Sequence, residues 1–97
     1  MSLNDDLSKW HDFTLDGIVV DWYEGTIRIH AHGDKLAFCL KIESFRNLQF
    51  PREFRWGPSK SINSARFDST LGRIEIEMQS GDLLTCDCAG CVVESQC

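Results

Sequence analysis

Cysteines are the first candidates for chemistry in this chain. Four of the five, Cys86, Cys88, Cys91 and Cys97, lie within the last twelve residues, whereas Cys39 stands alone. Four thiolates can bind zinc tetrahedrally, and Cys88-Ala89-Gly90-Cys91 has the spacing of a redox-active pair. Structural zinc sites usually join two such closely spaced pairs, and this chain has one. We therefore expect buried or inert thiols and no cofactor, with a metal site on these cysteines as the alternative.

Two histidines are the second candidates. His30 and His32 are two residues apart, so on a strand they point to the same face and could share a metal ion. No second histidine motif follows them. The default prediction is that both face solvent, and the alternative is a metal-binding protein or small metallo-hydrolase that uses these histidines or the tail cysteines.

No catalytic residue is assigned. His11 and Asp12 are adjacent, so on a strand they would point to opposite faces and could not support each other directly. Glu75 and Glu77 share a face, as the two carboxylates of a glycosidase do, but the alternation of an exposed strand also explains them. No serine lies in a nucleophile elbow. The chain is accordingly predicted not to be an enzyme.

The segment from residue 45 to residue 56 combines four aromatic residues with three arginines. Aromatic and arginine side chains anchor protein interfaces and also stack on single-stranded bases. Alternatively, the aromatic side chains of this segment close the core while its arginines stay in water. The predicted binding residues are Phe50, Arg52, Phe54, Arg55 and Trp56.

The elements that must position these residues follow a period of two, which is typical of β-strands. Three strands, Ile18–Trp22, Ile27–Ala31 and Leu36–Ile42, place their apolar residues on one face. A four-residue loop over 23–26 would pair Trp22 with Ile27. A two-residue Gly33-Asp34 turn would pair Ile29 with Phe38. The three strands form a meander.

The second half of the chain continues the pattern after a long aromatic and basic connection, 44–60, with a short strand at Leu48–Phe50. Further strands are predicted at Ile62–Phe67, Arg73–Gln79 and Leu83–Cys88. A three-residue loop with Gly81 in the left-handed conformation would turn Leu84, Cys86 and Cys88 toward Ile74 and Ile76. A two-residue Ser80-Gly81 turn would instead bury Leu83 and Thr85. The first register buries more apolar surface and is preferred.

Together these elements predict a single all-β domain, 1–97. It has an antiparallel meander of about six strands that forms a sandwich or a half-open barrel. A short helical turn lies in the N-terminal segment, 1–9, and a cysteine-containing tail spans 89–97.

Charge limits the classes of partner. The formal net charge is −5, which disfavours binding to nucleic acid and to anionic membranes. Residues 41–60 carry a net charge of +3 and the rest of the chain −8. The first residues, Met-Ser-Leu-Asn-Asp-Asp-Leu, lack the features of a signal peptide, and no apolar run approaches the roughly 20 residues of a membrane span. A cytoplasmic location with reduced cysteines is expected.

Four short motifs carry a resemblance. They are Trp10-His11-Asp12-Phe13, Asp21-Trp22 with Gly25, Trp56-Gly57-Pro58-Ser59 followed by Ser61-Ile62-Asn63, and Glu77-Met78-Gln79-Ser80-Gly81-Asp82. Over most of residues 10–88 the chain resembles a group of small bacterial all-β proteins without an assigned function. Some proteins that resemble this group are immunity partners in toxin systems. The resemblance therefore implies an acidic binding protein without catalysis. The cysteine-rich tail departs from the group.

The function predicted from the sequence is a non-enzymatic protein-binding module, immunity-like or self-associating, whose partner is another protein or a second copy. A further alternative for the whole chain is single-strand nucleic-acid binding on an OB-like barrel. The negative net charge of the chain disfavours it.

Overall fold

The computed structural model describes residues 6–33, 36–50 and 61–94. In these ranges the chain forms one 3-10 helix and eight strands, where about six were predicted. The helix is Ser8–Trp10, and the strands are β1 Thr14–Asp21, β2 Thr26–His32, β3 Ala37–Glu43, β4 Arg46–Gln49, β5 Ile62–Asp68, β6 Arg73–Met78, β7 Leu83–Asp87 and β8 Gly90–Glu94.

The strands form two four-stranded antiparallel sheets. The first has the order β1-β2-β3-β8 and the second β4-β7-β6-β5. An isolated bridge between Thr14 and Ser61 links the start of β1 to the residue before β5. The described strands do not close into a barrel. The all-β prediction is confirmed at this level.

One buried cluster draws on both sheets. The first sheet contributes Ile27, Ile29, Leu40 and Ile42, and the second contributes Ile62, Ile74, Ile76, Leu84 and Cys86. These side chains occupy alternate positions of their strands, because successive residues of a strand point to opposite faces. The period of two therefore predicted these core positions correctly.

Both hairpin registers of the predicted meander are wrong by two residues. Ile29 pairs with Leu40 and not with Phe38, and Ile27 pairs with Val20 and not with Trp22. A shift of two keeps every side chain on its predicted face. The physical cause lies in the loops: β1 ends at Asp21, so the first loop is 22–25, and Gly33 N–H donates to the Leu36 carbonyl, so Leu36 stays outside the strand and exposed.

The preferred register of β7 is confirmed. Cys86 lies opposite Ile74 and Leu84 lies opposite Ile76, so both face the core. Gly81 has φ of 100°, the left-handed conformation that the three-residue loop requires.

The connection 44–60 and the tail 89–97 contain strands that differ from the prediction. In the connection 44–60, β4 pairs with β7 and begins at Arg46, ahead of the predicted Leu48–Phe50. In the tail 89–97, β8 pairs with β3 along its length and extends the first sheet. Both strands pair with partners that are distant in sequence, and their own four or five residues do not indicate that pairing.

The N-terminal segment contributes to the core. Leu7 and Trp10 are buried, and Trp10 stacks on Phe13, with ring centroids 6.1 Å apart. Phe13 in turn stacks on Phe38 at 5.7 Å. A short helical turn is present near the predicted place, but it ends at Trp10, one residue beyond the predicted segment 1–9, and it carries Trp10 in the core. Among the described residues, no helix has the length and apolar character needed to cross a membrane.

Candidate functional site

The sequence-predicted binding segment lies mostly outside the described residues. Phe50 is described and is 38% exposed. Arg52, Phe54, Arg55 and Trp56 fall in the range 51–60, which the structure does not describe. Their role in binding stays a prediction.

The two histidines occupy the outer face of the first sheet, as predicted, but they have different surroundings. His30 lies between Gly17 and Cys39 of the neighbouring strands. His32 donates its Nδ1–H to the Asp16 carboxylate at 2.8 Å. In the described ranges, no three His, Cys, Asp or Glu side chains are arranged to hold a metal ion. The hydrogen bond between His32 and Asp16 joins β2 to β1.

Most of the C-terminal cysteines lie in the core or pack against it. Cys86 and Cys88 are buried and Cys91 is half-buried, all three with free thiols. Burial raises the pKa of Cys86 to about 11 and that of Cys91 to about 12, so these thiols stay protonated at neutral pH and are poor nucleophiles.

Two cysteines stand apart from that cluster. Cys97 lies outside the described residues. Cys39 is buried on β3. The expectation that the cysteines stay reduced remains a prediction.

His11 and Asp12 contact each other, contrary to the prediction for a strand. They lie in a turn, and Asp12 has φ of 67°, which brings its carboxylate within 3.5 Å of His11 Nε2. His11 Nδ1–H donates to the Asn63 carbonyl at 2.6 Å, and Gln79 Nε2 donates to Asp12 at 2.6 Å. These bonds fasten the turn to the second sheet, which gives both residues a structural role.

The most exposed aromatic side chains lie at the loop between β1 and β2. Trp22 is 84% exposed and Tyr23 is 94% exposed; we call these two residues the hairpin tip. The prediction that Trp22 belongs to the core is wrong, because the strand ends one residue before it. A pair of neighbouring exposed aromatic residues marks a contact surface more strongly than single exposed ones do.

The loop under the hairpin tip is held in place. Asp21 accepts the N–H of Glu24 on its side chain at 3.0 Å and the N–H of Gly25 on its carbonyl at 2.9 Å. Gly25 has φ of 71°, which glycine adopts readily. The Gly25 carbonyl accepts the N–H of Phe45 at 3.1 Å, and the Phe45 ring meets the edge of Trp22 with centroids 6.1 Å apart. The tip is thus ordered although exposed.

A second feature adjoins the tip on the outer face of the first sheet. Val19 pairs with Arg28, Arg28 with Lys41, and Lys41 with Val92, so these four residues form one row across all four strands. We call them the outer row. Its two valines are 55% and 48% exposed. A shallow groove of about 260 Å³ runs along the row at Val19, Arg28 and Lys41.

A scan against protein-family models finds no match. Searches of curated proteins and of solved structures find no significant relative either. Function is therefore inferred from the geometry of the described residues.

Sequence reasoning did not single out the tip or the outer row. The predicted register placed Trp22 in a strand and Arg28 opposite Cys39, so neither feature existed in it. One local signal was available. Asp at the end of a strand, followed four residues later by Gly, is typical of a loop that starts directly after the Asp, as the side chain caps the turn.

Proposed function

We propose that this chain is a non-enzymatic protein-binding module that contacts its partner through the hairpin tip and the adjoining outer row. The observation that carries the proposal is the exposure of Trp22 and Tyr23 on a loop that backbone hydrogen bonds hold in one conformation.

The residue types support a protein partner. Tryptophan and tyrosine are enriched among the residues that dominate interface energies. They offer large contact areas with few rotatable bonds, and a loop that is already ordered loses little further entropy on binding. Val19, which is 55% exposed, adds apolar surface on the outer face of β1. The sequence-predicted contacts from Phe50 to Trp56 remain part of the proposal.

The location of the protein is a separate expectation. The cytoplasm is the location predicted from the sequence.

A library of displayed random twelve-residue peptides, selected on the purified chain, tests the proposal. We expect enriched peptides whose affinity falls about tenfold or more in Trp22→Ala and Tyr23→Ala, since an anchor residue contributes about 2 kcal/mol or more and a tenfold change corresponds to about 1.4 kcal/mol. Leu71→Ala is the matched control, because Leu71 is also exposed and lies in the loop between β5 and β6.

Two results would contradict the proposal. One is that no peptide is enriched. The other is that the enriched peptides bind the Trp22 and Tyr23 variants as tightly as the unaltered chain. Sedimentation of the chain alone, with and without Trp22→Ala, shows whether the partner is a second copy, in which case the variant shifts the equilibrium toward monomer.

A further inference from the structure

We propose that the outer row recognises an acidic side chain flanked by apolar residues in an extended segment of the partner protein. The carboxylate would lie between Arg28 and Lys41, and the apolar neighbours would pack on Val19 and Val92. This inference rests on the proposed function and names the chemistry of its partner.

The first support is an unfavourable pair of like charges. Arg28 and Lys41 lie directly opposite each other on β2 and β3. Like charges at directly opposed positions destabilise a sheet. Lys41 is partly compensated by Glu43, whose carboxylate is 3.6 Å from its Nζ. Within the described ranges no ion pair is formed by Arg28. An external carboxylate would relieve the repulsion between the two cations.

The second support is the shape of the groove. Its volume of about 260 Å³ lies below the ~300–1,000 Å³ of most small-molecule pockets. It therefore suits one inserted side chain better than a cofactor. The exposed valines at both ends of the row provide apolar contact on either side of the cations.

The charge at the rim limits the kind of anion that can bind. Asp21 and Glu24 also line the groove, and the whole chain has a net charge of −5. A polyanion such as nucleic acid or an anionic bilayer brings many negative charges against these groups, whereas a single carboxylate brings one. The rim thus disfavours polyanions, and the attraction for one carboxylate comes from Arg28 and Lys41.

The peptide selection described above also tests this inference. We expect the enriched peptides to share a glutamate or aspartate between apolar residues. A synthetic copy of the strongest binder and its glutamate-to-glutamine counterpart are then compared by titration. The acidic peptide should bind about tenfold more tightly, and Arg28→Gln should abolish that difference. Arg66→Gln is the matched control, because Arg66 is an exposed arginine of the second sheet that pairs with Glu75.

The outcomes separate this inference from the proposed function. If Trp22→Ala weakens binding but the acidic and amide peptides bind equally well, the inference is wrong and the proposed function stands. If Arg28→Gln weakens the binding of both peptides equally, Arg28 does not distinguish the carboxylate from the amide. The inference is then also wrong. If phosphatidylglycerol vesicles or a single-stranded oligonucleotide bind the chain and lose that binding in Arg28→Gln, the row recognises polyanions, which overturns the inference.

Discussion

Arg73 and Asp87 face each other across β6 and β7, and Arg73 Nε–H donates to the Asp87 carboxylate at 2.9 Å. The other carboxylate oxygen accepts Asn47 Nδ2–H at 2.9 Å. The hydrogen bonds from Arg73 and Asn47 lower the pKa of Asp87, and the bond to Asp87 raises the pKa of Arg73. Asp87 thereby joins three neighbouring strands of the second sheet.

The Asp87→Asn variant should be less stable than the unaltered chain at neutral pH. A carboxyl whose pKa is lower in the folded state stabilises the fold above its unfolded pKa of about 3.9, and this contribution is lost as the pH falls through the folded value. The difference in unfolding midpoint should therefore shrink below about pH 4. Urea titrations at pH 7 and at pH 2.5 measure it, with the exposed Glu24→Gln as control. An equal difference at both pH values would contradict the role of the ionised carboxylate.

The two described tryptophans should differ strongly in their effect on stability. Trp10 is buried in the core, so Trp10→Ala should lower the free energy of unfolding by about 3–5 kcal/mol. Trp22 is exposed, so Trp22→Ala should change it by no more than about 0.5 kcal/mol. Urea unfolding followed by far-ultraviolet circular dichroism measures both. A large loss of unfolding free energy in Trp22→Ala would show that Trp22 packs in the core.

Gly33→Ala should destabilise the chain through the aromatic stack. A Cβ at Gly33 would lie 2.9 Å from Phe13 Cδ1 and Cζ, and the Phe13 ring cannot move without disturbing its stacking on Phe38. We expect a loss of about 1–3 kcal/mol in the free energy of unfolding, as for other overpacked sites. Gly17→Ala is the control, because its added Cβ would meet no atom within 4 Å. A neutral Gly33→Ala would show that the ring has room to shift.

The buried thiols should react slowly in the folded chain. With the pKa of Cys86 near 11 and that of Cys91 near 12, the thiolate fraction at pH 8 is very small. Iodoacetamide labelling mapped by mass spectrometry should leave both residues largely unmodified until urea unfolds the chain. An exposed thiol introduced by Ser69→Cys should be labelled quickly. Rapid labelling of Cys91, which is half-buried, would contradict its raised pKa.

The same thiols predict a loss of stability in alkali. A folded pKa above the unfolded value of about 8.5 stabilises the fold fully below that pH, and the contribution is lost as the pH rises through the folded value. The unfolding midpoint should therefore decline from about pH 8.5 upward. Cys86→Ser, which removes one of these groups, should show a smaller decline over that range than the unaltered chain. An identical decline would exclude a contribution from Cys86.

Alternation of residue types was sufficient to assign faces. Ile27, Ile29, Leu40 and Ile42 were all predicted to face the core, and all are buried. These assignments survived the error in register, because a shift of two residues preserves the face of every side chain. Similarly, the choice between two registers for β7 could be made from burial alone, since only one of them placed Leu84 and Cys86 in the core.

Positions of loops could not be predicted in the same way. Both Trp22 and Leu36 are apolar and continue the alternation of their strands, so the pattern includes them. The structure places them outside because backbone hydrogen bonds at Asp21 and Gly33 end the strands first. The strand β8 was missed for a related reason, since its five residues pair only with β3, far away in the sequence.

The sequence by itself determined that the chain is all-β, which residues of its main strands face the core, and that Cys86 and Cys88 are buried. Only the tertiary structure decided which residues lie side by side. In the predicted register Arg28 lies opposite Cys39, whereas in the structure it lies opposite Lys41. Periodicity reports the face of a residue and not its neighbour across the strand, so the cationic pair and the exposed hairpin tip became visible only when the loops were placed.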